Sequence, residues 1–229
     1  MKQKHILLAS VIFIVSAICN GQTTISLDST TVFKNQEGKV LNQEEVKELM
    51  KTKFSMKQEI VNGKKVITVI PTSDDEVAKF NAKMQAFRRD LIDKPVKSFK
   101  LTDLDGKRWN SKDLKGKVVV INFWFIGCKP CIQEMPLLNE LVTAYKDSNI
   151  VFLAPALDKE EQVKKFLIKY KFDYNIIPSS GDYVDELGIE NFPTHFVIDK
   201  QGIIRQVFIG YSDDIKTKLQ QEIYKLAKG

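Results

Sequence analysis

The chain has 229 residues, of which 43% are apolar and 28% charged, and its formal net charge is +6 at pH 7. This composition is that of an ordinary globular protein with room for one domain and a smaller additional segment. Positive and negative side chains are interspersed, and no basic stripe carries interleaved aromatic residues. These features argue against a nucleic-acid-binding protein.

The N-terminus has the pattern of a signal peptide. Lys2 and Lys4 precede an apolar run over residues 6–18, which is shorter than the ~20 residues that a membrane-spanning helix requires. The pattern predicts export of the protein and removal of residues 1–21. An alternative is lipid modification at Cys19, and contact with a membrane is expected only in that case, because the lipid chain would anchor the protein there.

The segment after the leader, residues 22–93, predicts a small α+β module. It carries no paired acids and no metal-ligand spacing, so a packing or interaction module of unknown function is expected. Its predicted elements are a helix at 43–53, a hairpin with strands at 56–60 and 65–70 around the turn Asn62-Gly63, and an amphipathic helix at 74–91.

A second domain is predicted over residues 94–229, because the residue before Pro95 is disfavoured in a helix. Strands and helices alternate there, which predicts a mixed sheet with helices on both faces. The predicted elements are a hairpin at 99–109, a buried strand at 118–123, a helix after Cys128, a strand at 150–154, a helix with an Asp158/Glu161 capping box, a strand at 174–177, a helix at 182–187, a hairpin at 196–208 and a last helix capped by Ser212.

Cys128 and Cys131 lie where the buried strand 118–123 gives way to a helical pattern. A spacing of three residues places both thiols on one side of the first helical turn, where they can close a small disulfide ring. The unpaired amides of that turn favour a thiolate. The pair is therefore a candidate redox couple.

Other uses of such a pair are a structural disulfide and a metal site. A disulfide that closes so short a loop would stabilise the fold little, and no second cysteine pair is present to complete a zinc site. Two thiolates also suit Cu(I), and His195 lies two residues after Pro193, so a copper-binding assembly protein is an alternative. A thiol peroxidase would require Thr or Ser where the sequence has Phe125.

Four motifs occur along the second predicted domain: Cys-x-x-Cys after an aromatic strand end, its continuation Cys-Ile-Gln-Glu-Met-Pro at 131–136, Gly-Ile-Glu-Asn-Phe-Pro-Thr at 188–194 and Asp-Lys-Gln-Gly at 199–202. Together they resemble the TlpA/ResA type of thioredoxin-fold protein. The resemblance covers roughly residues 94–229 and implies a thioredoxin-like α/β fold, a central mixed sheet flanked by helices with an N-terminal hairpin extension.

The family consists of exported thiol–disulfide oxidoreductases of the bacterial periplasm or the outer face of the membrane. The resemblance therefore implies an enzyme of the cell envelope that acts on protein disulfides or thiols and receives electrons from a membrane-bound donor. No cofactor and no metal are expected. The resemblance favours a reductase, whereas the residues themselves leave the direction open between reductase and oxidase.

The resemblance also assigns roles to residues. It makes Cys128 the exposed attacking thiol and Cys131 the resolving thiol. Pro193 matches the family's cis-proline, which leaves the backbone of Phe192 free to pair with an extended substrate. Glu134 matches a glutamate near the dithiol and is the candidate proton relay, with a surface residue that compensates the helix dipole as the alternative.

Two positions depart from the family pattern. Gly127 stands where the family commonly has Trp, so a less bulky lip of the substrate groove is expected. Asn122 stands where ordinary thioredoxins have a buried Asp that moves protons to and from the resolving cysteine, so it cannot fill that role. The residues expected to contact substrate are Trp124, Gly127, Lys129, Pro130, Phe192, Pro193 and Thr194.

Overall fold

The computed structural model describes residues 11–15, 31–49, 54–61, 64–146 and 148–228, and it describes only the backbone of 11–15, 54–61 and 64–65. The predicted cleavage site, Cys19 and the predicted turn at 62–63 lie outside the described residues. The chain divides into two compact units, Met1–Lys83 and Met84–Gly229. Among the described residues, no helix combines the length and apolar character needed to cross a membrane.

The first unit contains a four-stranded sheet with the order β1-β3-β4-β2. The predicted hairpin is confirmed as the antiparallel pair β3 and β4, while β2 runs parallel to β4 and β1 antiparallel to β3. A small core contains Phe33, Val46, Ile67 and Val69. The elements are β1 (Val11–Val15), β2 (Thr31–Lys34), α1 (Gln43–Leu49), β3 (Phe54–Val61), β4 (Lys64–Pro71) and α2 (Asp74–Leu91), which ends in the second unit.

The second unit is built on a five-stranded sheet with the order β11-β10-β7-β8-β9. Strands β7, β8 and β9 are parallel, and β10 and β11 are antiparallel to their neighbours, which confirms the predicted mixed sheet. The elements are β5 (Lys100–Thr102), β6 (Arg108–Asn110), the 3-10 helix Ser111–Leu114, β7 (Val118–Phe123), α3 (Lys129–Ala144), β8 (Ile150–Pro155), α4 (Glu160–Leu167), β9 (Asn175–Ile177), α5 (Gly181–Glu186), β10 (Thr194–Ile198), β11 (Ile204–Ile209) and α6 (Ile215–Lys228).

Strand β7 is the centre of this sheet, and all six of its residues are buried. Its apolar side chains are covered on both faces, as the unbroken β-rich run predicts. Strand β10 pairs with it in a register that places Thr194 opposite Phe123 and His195 opposite Asn122. The strand ends that carry Cys128 and Pro193 therefore lie at the same edge of the sheet.

Candidate active site

Cys128 and Cys131 form a disulfide at the start of α3, with their Cα atoms 5.3 Å apart. Cys128 is the N-cap residue, and its Sγ accepts a hydrogen bond of 3.2 Å from the N–H of Cys131. Pro130 fits in the first helical turn because the N–H that proline lacks has no partner within the helix there. The sequence Cys-Lys-Pro-Cys thus encodes a helix start where a sulfur replaces the usual capping oxygen, and the helix terminus stabilises a thiolate at that position.

The disulfide is not exposed. Cys128 is 0% and Cys131 2% accessible to solvent, so the prediction of an exposed Cys128 thiol is wrong for the disulfide form. The physical reason is that Cys128 Sγ turns back over the helix start to accept the N–H of Cys131. Around it, Lys129 is exposed and Gly127 and Pro130 are half-buried, so these three predicted contact residues form the accessible rim.

Trp124 lies in the core instead of the substrate groove. Its side chain is 0% exposed, its indole N–H donates to the carbonyl of Ala154 at 3.2 Å, and its ring packs against Phe166 and Phe172. Strand β7 effectively continues through Trp124, whose N–H donates to the carbonyl of Pro155. This placement contradicts the prediction that Trp124 contacts substrate, because the residue alternates with Phe123 and points into the opposite layer of the core.

The Phe192–Pro193 peptide bond is cis. The side chains of Phe192, Pro193 and Thr194 are buried, and the Thr194 hydroxyl donates to the carbonyl of Asn191 at 2.7 Å. In the part of the chain that the structure describes, the backbone N–H and C=O of Phe192 make no hydrogen bond. Contact of this segment with a substrate would therefore involve the backbone of Phe192 more than the side chains.

Phe125 connects the cysteine loop to the proline loop. Its ring meets that of Phe192 edge to face, with the centroids 5.4 Å apart. Its carbonyl accepts the N–H of Cys128 at 3.0 Å. The ring contact thus joins the two segments that the resemblance assigns to exchange and to substrate pairing.

Glu134 is fully buried, which rules out the alternative of a surface residue at this position. It lies three residues after Cys131 on the buried face of α3, the spacing at which helical side chains are neighbours. Its Oε2 lies 2.9 Å from Nε2 of His195, which is also fully buried. His195 lies in β10, and its contact with Glu134 was not predicted from sequence.

Two other elements face the Glu134 carboxylate. The sequence predicts Ser212 as the cap of the last helix, but α6 begins at Ile215, and the N–H of Ser212 donates to Glu134 Oε1 at 3.2 Å.

Burial raises the pKa of the Tyr174 hydroxyl well above its ordinary value, and the charge of Glu134 adds to this. The pKa of Tyr211 is raised to about 12 by its hydrogen bond to Asp213, by burial and by the charges of Asp213 and Glu134.

Asp158 holds the loop that precedes Cys128. The predicted Asp158/Glu161 capping box is wrong, since the N-cap of α4 is Lys159, whose N–H donates to Gln162. Instead, Asp158 Oδ2 accepts the N–H of Ile126 at 2.7 Å. A signal for this contact exists in the sequence, because Asp158 and Ile126 follow neighbouring parallel strands whose ends meet at one edge of the sheet.

Substitutions of Asp158 should show whether the loop depends on its hydrogen-bond acceptor or on its negative charge. Burial raises the pKa of the Asp158 carboxyl, although the N–H of Ile126 acts in the opposite direction. A carboxyl whose pKa is higher in the folded than in the unfolded protein ionises more readily when the protein is unfolded. The free energy of unfolding therefore falls as pH rises from the unfolded-state pKa of about 3.9 through the folded-state pKa. Asp158→Asn retains an acceptor and cannot ionise, so we expect it to be at least as stable as the wild type at neutral pH, with this advantage lost under acid conditions.

The matched variant is Asp158→Ala, which leaves the N–H of Ile126 without its acceptor and should cost about 1–3 kcal/mol of unfolding free energy. Urea unfolding of both variants, from mildly acidic to neutral pH, measures these differences. Equal destabilisation of the two variants at neutral pH would show that the loop requires the negative charge itself.

Comparisons with known proteins identify the family of the chain. A model of the AhpC/TSA family matches residues 92–207, slightly more than half of the chain. Thiol-disulfide oxidoreductase ResA from Bacillus thuringiensis subsp. konkukian (strain 97-27) is 36% identical over 137 residues, which are 59% of this chain and 78% of that protein.

Solved structures show the same fold. A Chlorobium tepidum protein provisionally assigned as the thiol:disulfide interchange protein DsbE matches with a TM-score of 0.55 and 27% identity, covering 59% of this chain and 97% of its own. The thioredoxin domain of a thiol-disulfide oxidoreductase from Bacteroides vulgatus matches with a TM-score of 0.51 and 26% identity, covering 58% of this chain and 97% of its own.

A thioredoxin-like sheet with a Cys-x-x-Cys disulfide at the start of its central helix defines the class of thiol–disulfide oxidoreductases. The chain belongs to the AhpC/TSA family, and within it to the thiol–disulfide oxidoreductases of the TlpA/ResA type. The family resemblance, the fold class and the enzyme class predicted from the sequence are therefore confirmed.

Proposed function

We propose that this protein is an exported protein-disulfide reductase that acts through a mixed disulfide at Cys128. The observation that carries the proposal is the disulfide at the N-terminus of α3, where Cys128 is the helix cap and Cys131 lies in the first turn. The helix terminus favours the thiolate of Cys128 as nucleophile, and the adjacent Lys129 adds a positive charge.

The reaction has two exchange steps. Cys128 Sγ attacks a substrate disulfide, which forms the mixed disulfide, breaks the substrate sulfur–sulfur bond and releases one substrate thiolate. Cys131 Sγ then attacks Cys128 Sγ, which breaks the mixed disulfide and releases the second substrate thiolate. Two electrons pass from the dithiol to the substrate, and the Cys128–Cys131 disulfide remains for reduction by a membrane-bound electron donor.

Glu134 serves the second step in this proposal. Cys131 must lose its proton before it attacks, and Glu134 is a buried carboxyl one helical turn away. A general base of this kind contributes typically about 10²-fold or more to a proton-transfer step. Its buried position supports the relay role that the family resemblance assigns to it.

The substrate is proposed to lie as an extended segment against the free backbone of Phe192, with Gly127, Lys129 and Pro130 as the accessible rim. Cys128 is buried in the disulfide form, so the proposal includes an opening of this rim when the reduced protein meets its substrate. The signal-peptide pattern at residues 1–21 supports export, and Cys19 would provide a lipid anchor if it were the mature N-terminus.

The alternatives have less support. Both ring nitrogens of His195 lie within hydrogen-bond distance of other side chains, Glu134 or Asn122, and the ring is fully buried, which weighs against a copper ligand at that position. A thiol peroxidase would require a hydroxyl where Phe125 packs against Phe192.

Cys131→Ser should trap the proposed intermediate. Without the second thiol, a substrate bound to Cys128 is not released, so partner proteins should remain attached as covalent complexes. We expect discrete bands on a non-reducing gel of the variant recovered from the cell envelope, which disappear on reduction. Cys128→Ser/Cys131→Ser is the matched control. Recovery of Cys131→Ser without any disulfide-linked partner would contradict the exchange mechanism.

A further inference from the structure

Asn122, His195 and Glu134 form a buried chain of contacts in which the donors and acceptors can be assigned. Asn122 Nδ2 lies 3.2 Å from His195 Nδ1 and 3.4 Å from Nε2, and an amide nitrogen only donates. Nδ1 is the nearer acceptor for this amide, and Nε2 faces a carboxylate oxygen, which together place the ring proton of a neutral imidazole on Nε2. Nε2 lies 2.9 Å from Glu134 Oε2, to which it donates.

This assignment places the charge of the cluster on Glu134. In a doubly protonated His195, the N–H at Nδ1 would face the amide N–H of Asn122. Two donors cannot form a hydrogen bond with each other, so the Asn122 amide disfavours the imidazolium form. The second Glu134 oxygen accepts the N–H of Ser212. Each carboxylate oxygen has two lone pairs, so Glu134 retains free lone pairs that can take a proton while both hydrogen bonds persist.

The other ionisable groups that face Glu134 do not interfere near neutral pH. Tyr174 and Tyr211 both have a raised pKa, so both stay neutral. Within the described part of the chain, Cys131 and His195 remain as the groups that could exchange a proton with Glu134 near neutral pH.

We propose, on the basis of the proposed exchange function, that Asn122 and His195 are positioning residues for Glu134. Asn122 holds His195 as the neutral tautomer with the proton on Nε2, and His195 in turn holds Glu134 as an anion that accepts the proton of Cys131. Glu134, the base of the second exchange step, would thus remain an ionised carboxylate although its partner His195 is neutral.

Two His195 variants test the role of the ring as a neutral donor. His195→Gln retains an N–H donor toward Glu134 but cannot carry a second proton, so it should release the mixed disulfide at nearly the wild-type rate. His195→Leu removes the donor and leaves the Glu134 charge buried with less support, which favours its protonated form. Release should then be slower by about tenfold or more near neutral pH and should recover at high pH, where Cys131 ionises unaided.

Dithiobis-nitrobenzoic acid separates the two steps, because attack by Cys128 and release by Cys131 each liberate one coloured thiolate. A Cys19→Ser background limits the reaction to the two site thiols. Glu134→Gln is the reference variant and should slow the second phase only. Equal slowing of the second phase in His195→Gln and His195→Leu would overturn the positioning role, because the ring itself would then move the proton.

The remaining outcomes distinguish the two proposals. If Glu134→Gln slows the second phase and neither His195 variant does, the positioning role fails and the proposed function stands. If Glu134→Gln also leaves the second phase unchanged, the proton relay assigned to Glu134 in the proposed function fails as well.

Nitrogen NMR gives a readout independent of activity. The sequence contains only two histidines, His5 and His195, so the spectrum of His195→Gln identifies the signals of His195 in the full-length chain. We expect the spectrum to show the neutral tautomer with a proton on Nε2 at neutral pH. Asn122→Asp replaces the donor by an acceptor, so it should convert His195 to the imidazolium in the same spectrum. A wild-type imidazolium at neutral pH would overturn the inference.

Discussion

Cys128→Ser should reduce disulfide exchange to the uncatalysed background, a loss of about 10³-fold or more, the order expected when a covalent nucleophile is removed. A serine hydroxyl cannot form the mixed disulfide, and Cys131, in the first turn of α3, is the resolving thiol of the proposed mechanism. Reduction of insulin disulfides by the purified reduced protein measures the effect. Activity in Cys128→Ser within tenfold of the wild type would identify Cys131 as the attacking thiol and reverse the assigned roles.

The structure also predicts how the helix start responds to this change. Cys128 Sγ accepts the N–H of Cys131 as the cap of α3, and serine is among the preferred N-cap residues. Cys128→Ala loses both the nucleophile and the cap. The two variants should therefore be equally inactive, whereas Cys128→Ala should be less stable than Cys128→Ser by about 0.5–2 kcal/mol in urea unfolding. Equal stabilities would show that the cap contact contributes nothing in the reduced protein.

Trp124→Ala should destabilise the thioredoxin-like unit by about 3–5 kcal/mol, the usual effect of removing a buried aromatic side chain. The indole is fully buried between Phe166 and Phe172, so its removal leaves a large cavity in a densely packed core. Both tryptophans of the chain, Trp109 and Trp124, lie in this unit. Fluorescence during urea unfolding therefore reports on this unit alone.

Trp124→Phe is the matched control for the Trp124→Ala variant. It retains an aromatic ring but loses the N–H that donates to Ala154, so it should cost about 1–3 kcal/mol. In the Cys131→Ser background, Trp124→Phe should capture the same partners as the parent, because a core residue does not select substrates. A changed set of captured partners, with near wild-type stability, would restore Trp124 as a substrate contact.

Local chemistry explains why much of the second unit could be predicted. The unbroken apolar run of β7 and the Cys-Lys-Pro-Cys helix start depend on neighbours along the chain, and both are found as predicted. The hairpin that follows Thr194 depends on the turn beginning at Asp199, whose carboxylate accepts the N–H groups of Gln201 and Ile203. These features follow from contacts within a few residues, which sequence patterns report directly.

The surroundings of Glu134 were not predictable in the same way. The contacts of His195 with Glu134 and Asn122 join residues 61 and 73 positions apart, and they exist because β10 pairs with β7 in one particular register. A shift of that register by one residue would turn His195 to the other face of the sheet. Sequence alone therefore identified Glu134 as a candidate but not its partners.

Burial of particular side chains was likewise decided by tertiary structure. The sequence by itself determined the fold class, the redox pair and the cis-proline segment, because these depend on local patterns and on motif resemblance. The packing of β7, β8 and α3 against one another decides three other features. It decides whether Trp124 faces substrate or core, whether Cys128 is exposed, and which N–H donates to Asp158. Accessibility is a property of the assembled layers, and a residue's own neighbours in sequence do not specify it.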